Sequence, residues 1–429
     1  MIAAGLQAAD PYHSLLRTVS LVGHSLRVGR RTYDLRRYDR VLAVGAGKAS
    51  ARMAQALELV LGARLEGGLV VVKTGHSVPT RRIRIIEAGH PIPDRAGLRA
   101  ANHIRDVIAG LTPRDLLFVL LSGGASSLLP APAPGITLAN KQRTTRLLFR
   151  SGATIQEMNV VRKHLSRLKG GGLAASTQAT IATLILSDVI GDDLGSIGSG
   201  PTAPDPTTFA DAIEVLQRYK IWRLVPEPVR HHLLQGRRGA VPETLKPGTR
   251  RLRRVHHEII GNNSGMLGVV TRVAREAGLR TVLLSTAITG EARQAATQLG
   301  SLARCMVSGM DLLRRPCCVV AGGETTVTVT GRGKGGRAQE FAVSAALEIA
   351  GLQNVWIAAV GSDGTDGPTD VAGAVVSGET VARAKQLGVD LHSALKRHDT
   401  YPALKTLRSH IRTGPTGTNV NDLYLAFVL

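Results

Sequence analysis

The chain has 429 residues, of which 43% are hydrophobic and 20% are charged, and these proportions are ordinary for a soluble globular protein. Because this length exceeds what one hydrophobic core normally serves, we expect two domains. The formal net charge of +22 is compatible with nucleic acid, an anionic membrane or anionic small molecules. Only 3% of the residues are aromatic, which leaves few stacking platforms for bases, so we expect a solvated basic surface and neither nucleic acid nor a membrane as partner.

The cysteines and the N-terminus indicate a compartment. Cys305, Cys317 and Cys318 show neither the spacing of a metal site nor a disulfide framework, which is typical of a reducing environment. The N-terminal "MIAAGLQAADPYHSLL" lacks the basic flank and sustained apolar core of a signal peptide. No apolar run approaches the roughly 18 residues that cross a bilayer. We therefore expect a cytoplasmic protein, either a monomer or a homodimer.

Strand-like and helix-like segments alternate along the first half. Asp94 is placed to cap one helix, and Thr154 with Glu157 forms a capping box for another. The predicted strands are 40–47, 67–75, 82–89, 115–124 and 180–188, and the predicted helices are 51–62, 95–110, 155–168 and 206–219.

The alternation weakens over 236–257, "GRRGAVPETLKPGTRRLRRVHH", which has two prolines, clustered charge and no apolar period. We place the domain boundary there and predict domains over 1–240 and 241–429. Beyond it, apolar strands and helices alternate again to the closing "DLYLAFVL". Repeated βα units predict mostly parallel sheets covered by helices in both halves. In such sheets ligands collect at the carboxyl ends of strands.

The first strand end is "VGAGKAS". Gly45 and Gly47 let a ligand approach the backbone, and Lys48 adds a charge where a helix begins. A Walker A loop would need a glycine at Leu42, and a dinucleotide fingerprint would need one at Ser50. A simple tight turn with a solvated lysine is the alternative interpretation.

The next strand end, "LLSGGASSLL", presents Ser122, Gly123, Gly124 and Ser126, small groups and free amides that suit a phosphate or a carboxylate. A nucleophilic serine is not indicated, because the glycine-x-serine-x-glycine elbow is absent.

A predicted helix, "NVVRKHLSRL", places Asn159 and Lys163 on one face with Arg162 beside them. This face either contributes cations to an anion site or is simply a basic solvated surface.

Carboxylates follow the strand "LILSD". Asp188 and Asp192 lie in a glycine-rich loop, and hard oxygen ligands of this kind suit Mg²⁺ that also binds phosphate. Asp188 is equally suited to be a general base, and aspartates in turns are often only turn formers.

In the second half, "GGETTVTVTGRGKGGRAQE" begins as an alternating strand over 325–330 and continues into four glycines around Arg332, Lys334 and Arg337, before a predicted helix. A later strand end, "VGSDGTDGPTD", carries Asp363, which is a second candidate for the general base, and two further aspartates. Lysine, arginines, glycine turns and aspartates together are the groups that phosphoryl transfer uses, since its catalysis is mostly positioning and charge neutralisation.

These blocks in this order resemble the glycerate 2-kinase family with a MOFRL C-terminal domain, whose members are often labelled hydroxypyruvate reductase. The resemblance covers nearly the whole chain, through "VGAGKAS", "EAGHPIPD", "LLSGGASSLL", "NVVRKHLSRLKGG", "SDVIGDDLGSIGSGPT", "GGETTVTVTGRGKGGRAQE", "GSDGTDGPTD" and "TGPTGTNVND". It implies an α/β protein with a Rossmann-like, three-layer N-terminal domain, a distinct α/β C-terminal domain and an active site in the cleft between them. It also implies ATP-dependent phosphorylation of D-glycerate at the 2-hydroxyl, giving 2-phospho-D-glycerate, with a divalent metal, here expected to be Mg²⁺.

The resemblance implies that Lys48 and Arg337 are catalytic, and the residue chemistry adds Asp188 as catalytic or, with Asp192, as a metal ligand. One departure is Ala338, where the family usually has asparagine, which affects substrate orientation rather than the reaction class. An NAD(P)H-dependent hydroxypyruvate reductase is the alternative. The expected substrate and phosphate contacts are Gly45, Gly47, Ser122, Gly123, Gly124, Ser126, Asn159, Arg162, Lys163, Glu324, Gly333, Lys334, Gly336 and Asp363.

Overall fold

A computed structural model describes residues 1–308 and 313–429, and these residues divide into two compact units. The first unit comprises residues 11–260, and the second comprises residues 1–10 together with 261–429. Each unit has its own six-stranded sheet, which confirms the expectation of two α/β units. The chain begins with helix α1 (Ile2–Ala8) of the second unit, which packs on a later helix of that unit.

The first unit combines a small antiparallel sheet, β1–β3, with a six-stranded sheet in the order β6-β5-β4-β7-β8-β9. Its helices are α2 (Pro11–Thr18), α3 (Ser50–Leu61), α4 (Arg95–Ala109), α5 (Ala125–Leu128), α6 (Leu138–Arg150), α7 (Ile155–His164), α8 (Gly172–Ala175), α9 (Phe209–Arg218) and α10 (Glu227–Arg237). Its strands are β1 (Val19–Val22), β2 (Ser25–Val28), β3 (Arg31–Asp34), β4 (Arg40–Ala46), β5 (Gly67–Lys73), β6 (Ile83–Ala88), β7 (Asp115–Leu121), β8 (Thr180–Leu186) and β9 (Val255–Gly261).

Hydrophobic burial on both faces explains the parallel sheet of the first unit. Every residue of β7 is buried, and so are all but the first of β4 and of β8. Strands covered on both faces are typical of parallel sheets. The pairs β4–β5, β4–β7, β5–β6 and β7–β8 are parallel, with Ala46 opposite Leu121 and Leu121 opposite Ile185. The carboxyl ends of β4, β7 and β8 therefore lie side by side.

The second unit differs from the prediction of a mostly parallel sheet. Its order is β10-β11-β15-β12-β13-β14, and only β10–β11 is parallel, whereas the other four pairs are antiparallel. Helices cover the sheet, so its central strands are as apolar as parallel ones, and burial alone does not reveal direction. The strands are β10 (Arg280–Ile288), β11 (Cys317–Gly323), β12 (Val355–Gly361), β13 (Gly373–Ser377), β14 (His410–Ile411) and β15 (Asp422–Val428), and the helices are α11 (Asn263–Glu276), α12 (Ala292–Val307), α13 (Arg337–Glu348), α14 (Thr380–Gln386), α15 (Leu391–Lys396) and α16 (Thr400–Thr406).

The strand predicted over 325–330 does not form. β11 ends at Gly323, and after it only an isolated bridge joins Thr326 to Glu291. The carboxylate of Glu291 accepts hydrogen bonds from the backbone amide of Thr328, at 3.1 Å, and from the Thr328 hydroxyl. A side chain thus replaces the neighbouring strand. Alternation of threonine and valine does not produce a strand where no partner strand is in reach.

The connector over 236–257 belongs to the first unit. The backbone amide of Leu245 donates to Gly170 at 3.0 Å, and the carbonyl of Leu245 accepts from Asp205 at 2.8 Å. The chain then adds β9 beside β8. The two compact units consequently divide between residues 260 and 261, whereas the predicted boundary lies between 240 and 241. A charged, proline-containing segment marks an irregular path but not necessarily a domain boundary.

Within the described part of the chain, no helix combines the length and the apolar character that crossing a bilayer requires.

The capping box at the start of α7 gives a test of the fold. The hydroxyl of Thr154 accepts from the Glu157 amide at 3.3 Å, and the Glu157 carboxylate accepts from the Thr154 amide at 3.0 Å. We expect Thr154→Ala to lower the free energy of unfolding by about 1 kcal/mol, because the first-turn amide loses its acceptor. The control Gln156→Ala, at an exposed position of the same turn, should change it by less than about 0.5 kcal/mol. Equal urea midpoints for the two variants would contradict the prediction.

Candidate active site

The ends of β4 and β7 interlock through Gly47 and Ser122. Gly47 has a φ of 143°, and a Cβ there would overlap the hydroxyl of Ser122. That hydroxyl accepts from the Ala49 amide at 3.0 Å and lies 3.0 Å from Ser50 Oγ. Ser122 is buried, so its side chain holds the two turns together rather than facing a ligand. Gly45 is packed in the same way against the backbone of Leu120.

This interlock places Lys48 beside the second glycine turn. The Lys48 amide donates to the Gly123 carbonyl at 2.9 Å. A Cβ on Gly124 would lie 3.6 Å from Lys48 Cγ and 2.8 Å from the ring of His90. Lys48 is half-buried, and its carbonyl lies 3.0 Å from His76 Nδ1. Lys48, Gly123 and Gly124, which the sequence indicated separately, are therefore neighbours.

His90 was not predicted as a site residue, although it lies in the block "EAGHPIPD". Burial, followed by the charges of Lys48 and Lys73, lowers the pKa of His90 to about 4. The ring is thus neutral near pH 7, and it contributes hydrogen-bonding capacity without adding to the positive charge.

The carboxylate of Asp188 reaches the same place from the end of β8. A Cβ on Gly123 would overlap Asp188 Oδ2, so this carboxylate lies directly against the Gly123 backbone. Asp192 follows in a short turn with a φ of 55°. Among the described residues, no group of three or more histidines, cysteines, aspartates or glutamates is arranged to hold a metal ion. Mg²⁺ needs fewer protein ligands than that, since it is commonly bound by one or two carboxylates together with phosphate and water.

A pocket of ≈ 190 Å³ opens beside these turns. It contains Gly124, Ser126 and Arg162 from the predicted set, and Lys141 and Lys169, which the sequence did not reveal. Lys141 is 5% exposed and Lys169 is 2% exposed. We call Lys141, Arg162 and Lys169 the cation triad, and the pocket they line the cation pocket.

Two predicted residues of α7 are engaged elsewhere. Lys163 forms a buried ion pair with Asp205 at 3.4 Å. The side-chain oxygen of Asn159 accepts from Ser199 Oγ at 3.0 Å, and that hydroxyl lies 2.8 Å from Ser126 Oγ. Asn159 therefore fixes the loop that carries Ser126. Arg162, predicted to flank the face of Asn159 and Lys163, is the residue of this helix that lines the cation pocket.

In the second unit, two carboxylates hold Arg337 at the start of α13. Arg337 Nε and Nη2 contact the two oxygens of Asp422 at 2.8 and 3.0 Å, and Nη1 donates to Glu324 at 2.7 Å. Asp422 is fully buried and also accepts from the hydroxyl of Tyr424 at 3.0 Å. Asp422 is the residue that sequence reasoning missed here, although it closes the block "TGPTGTNVND".

The electrostatics of this pair have two sides. Burial works against the charge of Arg337, but Asp422 and Glu324 outweigh it and raise the pKa of Arg337 above its usual value. Burial raises the pKa of Asp422 to about 7 although the guanidinium opposes the rise. The raised pKa of Arg337 indicates a favourable ion pair. The raised pKa of Asp422 indicates that burying this carboxylate in its charged form is unfavourable. Because bidentate contact with a guanidinium is the geometry of an ionised carboxylate, we take the pair as charged above about pH 7.

The glycines between Thr330 and Arg337 pack against other parts of the same unit. A Cβ on Gly333 would overlap the carbonyl of Arg397, and one on Gly336 would overlap the carboxyl of Asp366. Lys334 is exposed, with its ammonium 4.5 Å from the centre of the Tyr401 ring. Close packing thus accounts for these glycines without a ligand.

The three aspartates after β12 each have a local structural partner. Asp363 accepts from the Thr365 amide at 3.0 Å, which is an ordinary turn contact. Asp366 accepts from the amide of Ala338 at 3.0 Å and so caps α13, and Asp370 pairs with Arg412. The Ala338 side chain itself is buried in the hydrophobic core.

Comparisons with known proteins match this architecture. The model of a family described as a domain of unknown function, DUF4147, matches residues 1–234, and the MOFRL family model matches residues 317–422. The glycerate 2-kinase of Pyrococcus horikoshii is 41% identical over 429 residues, covering 100% of this chain and 96% of that protein. The D-glycerate 2-kinase of Thermotoga maritima is 40% identical over 405 residues, covering 94% of each. A protein of Agrobacterium vitis, provisionally named a hydroxypyruvate reductase, is 42% identical over 387 residues, 90% of this chain and 98% of its own.

Two solved structures resemble this one over its whole length. A Pyrococcus horikoshii protein has a TM-score of 0.88 at 41% identity, covering 100% of this chain and 96% of that one. A glycerate kinase of Thermotoga maritima has a TM-score of 0.89 at 38% identity, covering 100% and 97%.

The raised pKa of Asp422 predicts a dependence of stability on pH. Between the usual pKa near 4 and the native value of about 7, the folded protein holds one more proton than the unfolded chain, so the free energy of unfolding falls as pH rises. Each unit of elevation corresponds to about 1.4 kcal/mol. The side chain of Asp422→Asn cannot ionise. We therefore expect the melting temperature of the variant, relative to that of the native protein, to rise from pH 4 to pH 7. A gap that stays constant over this range would contradict the prediction.

Proposed function

Because the chain belongs to the glycerate 2-kinase family, we propose that it transfers the γ-phosphoryl group of ATP to the 2-hydroxyl of D-glycerate, giving ADP and 2-phospho-D-glycerate. The observation that carries this proposal is the meeting of Lys48, Gly123, Gly124 and Asp188 at adjoining strand ends, next to a small pocket with three cations. A phosphate-compatible turn, a carboxylate and a pocket for a small anion are what such a transfer needs.

Asp188 is our candidate for the general base in the first unit. Its carboxylate lies against the Gly123 backbone, beside Gly124, which lines the cation pocket, and a base must reach the hydroxyl whose proton it removes. Lys48 would neutralise charge on the moving phosphoryl group, which gains negative charge on its equatorial oxygens. Asp363 stays the second candidate for the base, and its carboxylate accepts from the Thr365 amide.

Arg337 is our candidate in the second unit for a donor to a phosphoryl group, a role that the resemblance to the family implies. A guanidinium has five N–H donors, and contacts to Asp422 and Glu324 use three of them. Asp422 fixes the plane of the group from its buried side, whereas Glu324 is exposed and can give way to a phosphate. In this proposal Glu324 occupies the position of the anion when nucleotide is absent.

The kinase reaction implies Mg²⁺ as the partner of ATP. Asp192 and, as the alternative to its role as base, Asp188 offer hard oxygen donors on either side of a turn that contains Gly191, and they are the residues that we propose for the ion. When bound, the ion would neutralise phosphate charge. The backbone contacts of Gly333 and the ring contact of Lys334 engage both locally, so we propose no larger role for them than shaping the loop before Arg337.

The product distinguishes this function from its rival. We expect incubation with D-glycerate and Mg-ATP to give one new phosphorus NMR resonance whose coupling places the phosphate on C2, together with an equivalent amount of ADP. The name of the Agrobacterium vitis relative motivates the reductase arm, in which hydroxypyruvate and NADH are followed at the nicotinamide absorbance. Consumption of NADH without release of ADP would overturn the proposal in favour of an oxidoreductase.

A double-variant cycle tests whether Lys48 and Arg337 act on one phosphoryl group. We expect Lys48→Met and Arg337→Lys each to lower kcat by on the order of 10²-fold or more, because each removes a charge or a fixed donor from the transition state. If both act on the same transition state, the double variant should lose much less than the product of the two single effects. Arg332→Met, an exposed cation of the same loop, is the matched control and should leave kcat unchanged. Strictly multiplicative losses, or unaltered turnover in both single variants, would refute the assignment.

A further inference from the structure

The cation pocket is built by three separate elements. Lys141 comes from α6, Arg162 from α7, and Lys169 from the turn that follows α7. Lys169 Nζ donates to the carbonyl of Ser126 at 2.7 Å, so it is fixed against the loop that carries that serine. Lys141 Nζ is buried and has no hydrogen-bond partner among the described residues. Lys169 is thus held by a backbone carbonyl, whereas the buried ammonium of Lys141 is an unsatisfied donor.

No carboxylate among the described residues lines this pocket to balance its charges. The residues that line it include His90 and the cation triad but neither aspartate nor glutamate. An unpaired charge out of water is costly, and an unsatisfied buried donor adds to that cost. An anion in the pocket removes both costs. Because the pocket is built from cations on three elements, we read this arrangement as a binding site and not as a chance accumulation of surface lysines.

The size of the pocket selects among anions. At ≈ 190 Å³ it is smaller than the roughly 300–1,000 Å³ of sites for drug-sized ligands, and so it suits a small acid and not a nucleotide. Gly124 lines the pocket, and Lys48 Cγ is 3.6 Å from the Cβ position of that glycine. Lys48 therefore lies close to the Gly124 wall of the pocket in which the acid would bind.

Resting on the function proposed above, we propose that the cation triad binds the carboxylate of the acceptor acid and that Lys141 is the residue that restricts the acceptor to hydroxy acids. Lys141 donates from its unsatisfied ammonium to one carboxylate oxygen, while Arg162 and Lys169 supply further charge. A neutral polyol of the same size leaves the triad unbalanced and is rejected. The site thereby recognises the acid group, and the reacting hydroxyl is the one adjacent to it.

The protonation of Lys141 follows from this geometry. Burial, followed by the charge of Arg162, lowers the pKa of Lys141 to about 7, and burial, followed by Lys141 and Arg162, lowers the pKa of Lys169 well below its usual value. His90, the other titratable residue that lines the pocket, stays neutral at these pH values. A bound carboxylate favours the ammonium form of Lys141 and raises its pKa again. Lys141 should therefore take up a proton on binding at pH 8 and less of one at pH 6, where it is mostly charged already.

The test measures acid binding separately from turnover. Titration calorimetry of D-glycerate without nucleotide should show binding to the native protein, and Lys141→Met should weaken it by 10-fold or more. KM for D-glycerate should rise by a similar factor while kcat changes by less than 3-fold. Arg143→Met removes an exposed cation two positions along the same helix and should leave both unchanged. Proton uptake at pH 8, obtained from buffers of different ionisation enthalpy, should be smaller for Lys141→Met than for the native protein.

The outcomes separate this proposal from the one on which it rests. Phosphorylation of D-glycerate with an unchanged KM in Lys141→Met overturns the role of the cation pocket and leaves the kinase intact. Binding of D-glycerate that is lost in Lys141→Met, in a protein that forms no ADP, supports the pocket and refutes the kinase. Glycerol phosphorylated with a kcat/KM within 10-fold of that for D-glycerate would overturn the specificity. Lys141→Arg, which keeps a charge, should restore part of the binding, and failure of the charged variant to exceed Lys141→Met would also count against us.

Discussion

The interlock of Gly47 with Ser122 is the contact on which the rest of the first site depends. Parallel pairing of β4 with β7 brings two turns side by side, and the absence of a side chain at Gly47 lets the Ser122 hydroxyl bond the start of α3. Any larger residue at Gly47 would separate the turns and displace Lys48 from Gly124. The chemistry proposed for Lys48 and Asp188 is therefore a consequence of backbone packing, and the side chains take positions that the sheet has already defined.

The two units treat positive charge in opposite ways. No carboxylate among the described residues lines the cation pocket of the first unit, which is why we propose that it attracts an anion in the resting protein. The second unit neutralises Arg337 with Asp422 and Glu324, so that its guanidinium is oriented but not available until one carboxylate yields. Under the proposed function, the unbalanced pocket would favour binding of the acceptor acid before catalysis, whereas the balanced arginine would favour exchange of one anion for another. Binding and transition-state stabilisation thus make different demands on the surrounding charge.

The sequence predicted five of the six strands of the first unit's large sheet and four of its helices, because these elements are local, but it did not predict the small β1–β3 sheet. Apolar strands, the Asp94 cap and the Thr154–Glu157 box depend on neighbours in the chain, and all appear in the structure. Strand direction in the second sheet, and the failure of a strand over 325–330, depend on which distant segment lies alongside. The candidate site divides in the same way. Lys48 and Asp188 follow recognisable strand ends, but Lys141 lies in a helix with no motif, and its partners come from elsewhere in the fold.

The buried lysines explain why burial, and not sequence pattern, identifies the pocket. A lysine on a helix such as α6 normally points to water, and the exposed Arg143 and Arg146 on the same helix follow that rule. Lys141 is instead only 5% exposed, and its pKa is lowered. Folding is therefore less favourable at any pH at which this lysine carries its proton in the unfolded chain. A buried ammonium that lowers stability and has no hydrogen-bond partner in the described part of the chain is better explained by a bound ligand than by the fold. The same reasoning sets Lys163 aside, because Asp205 already compensates its charge.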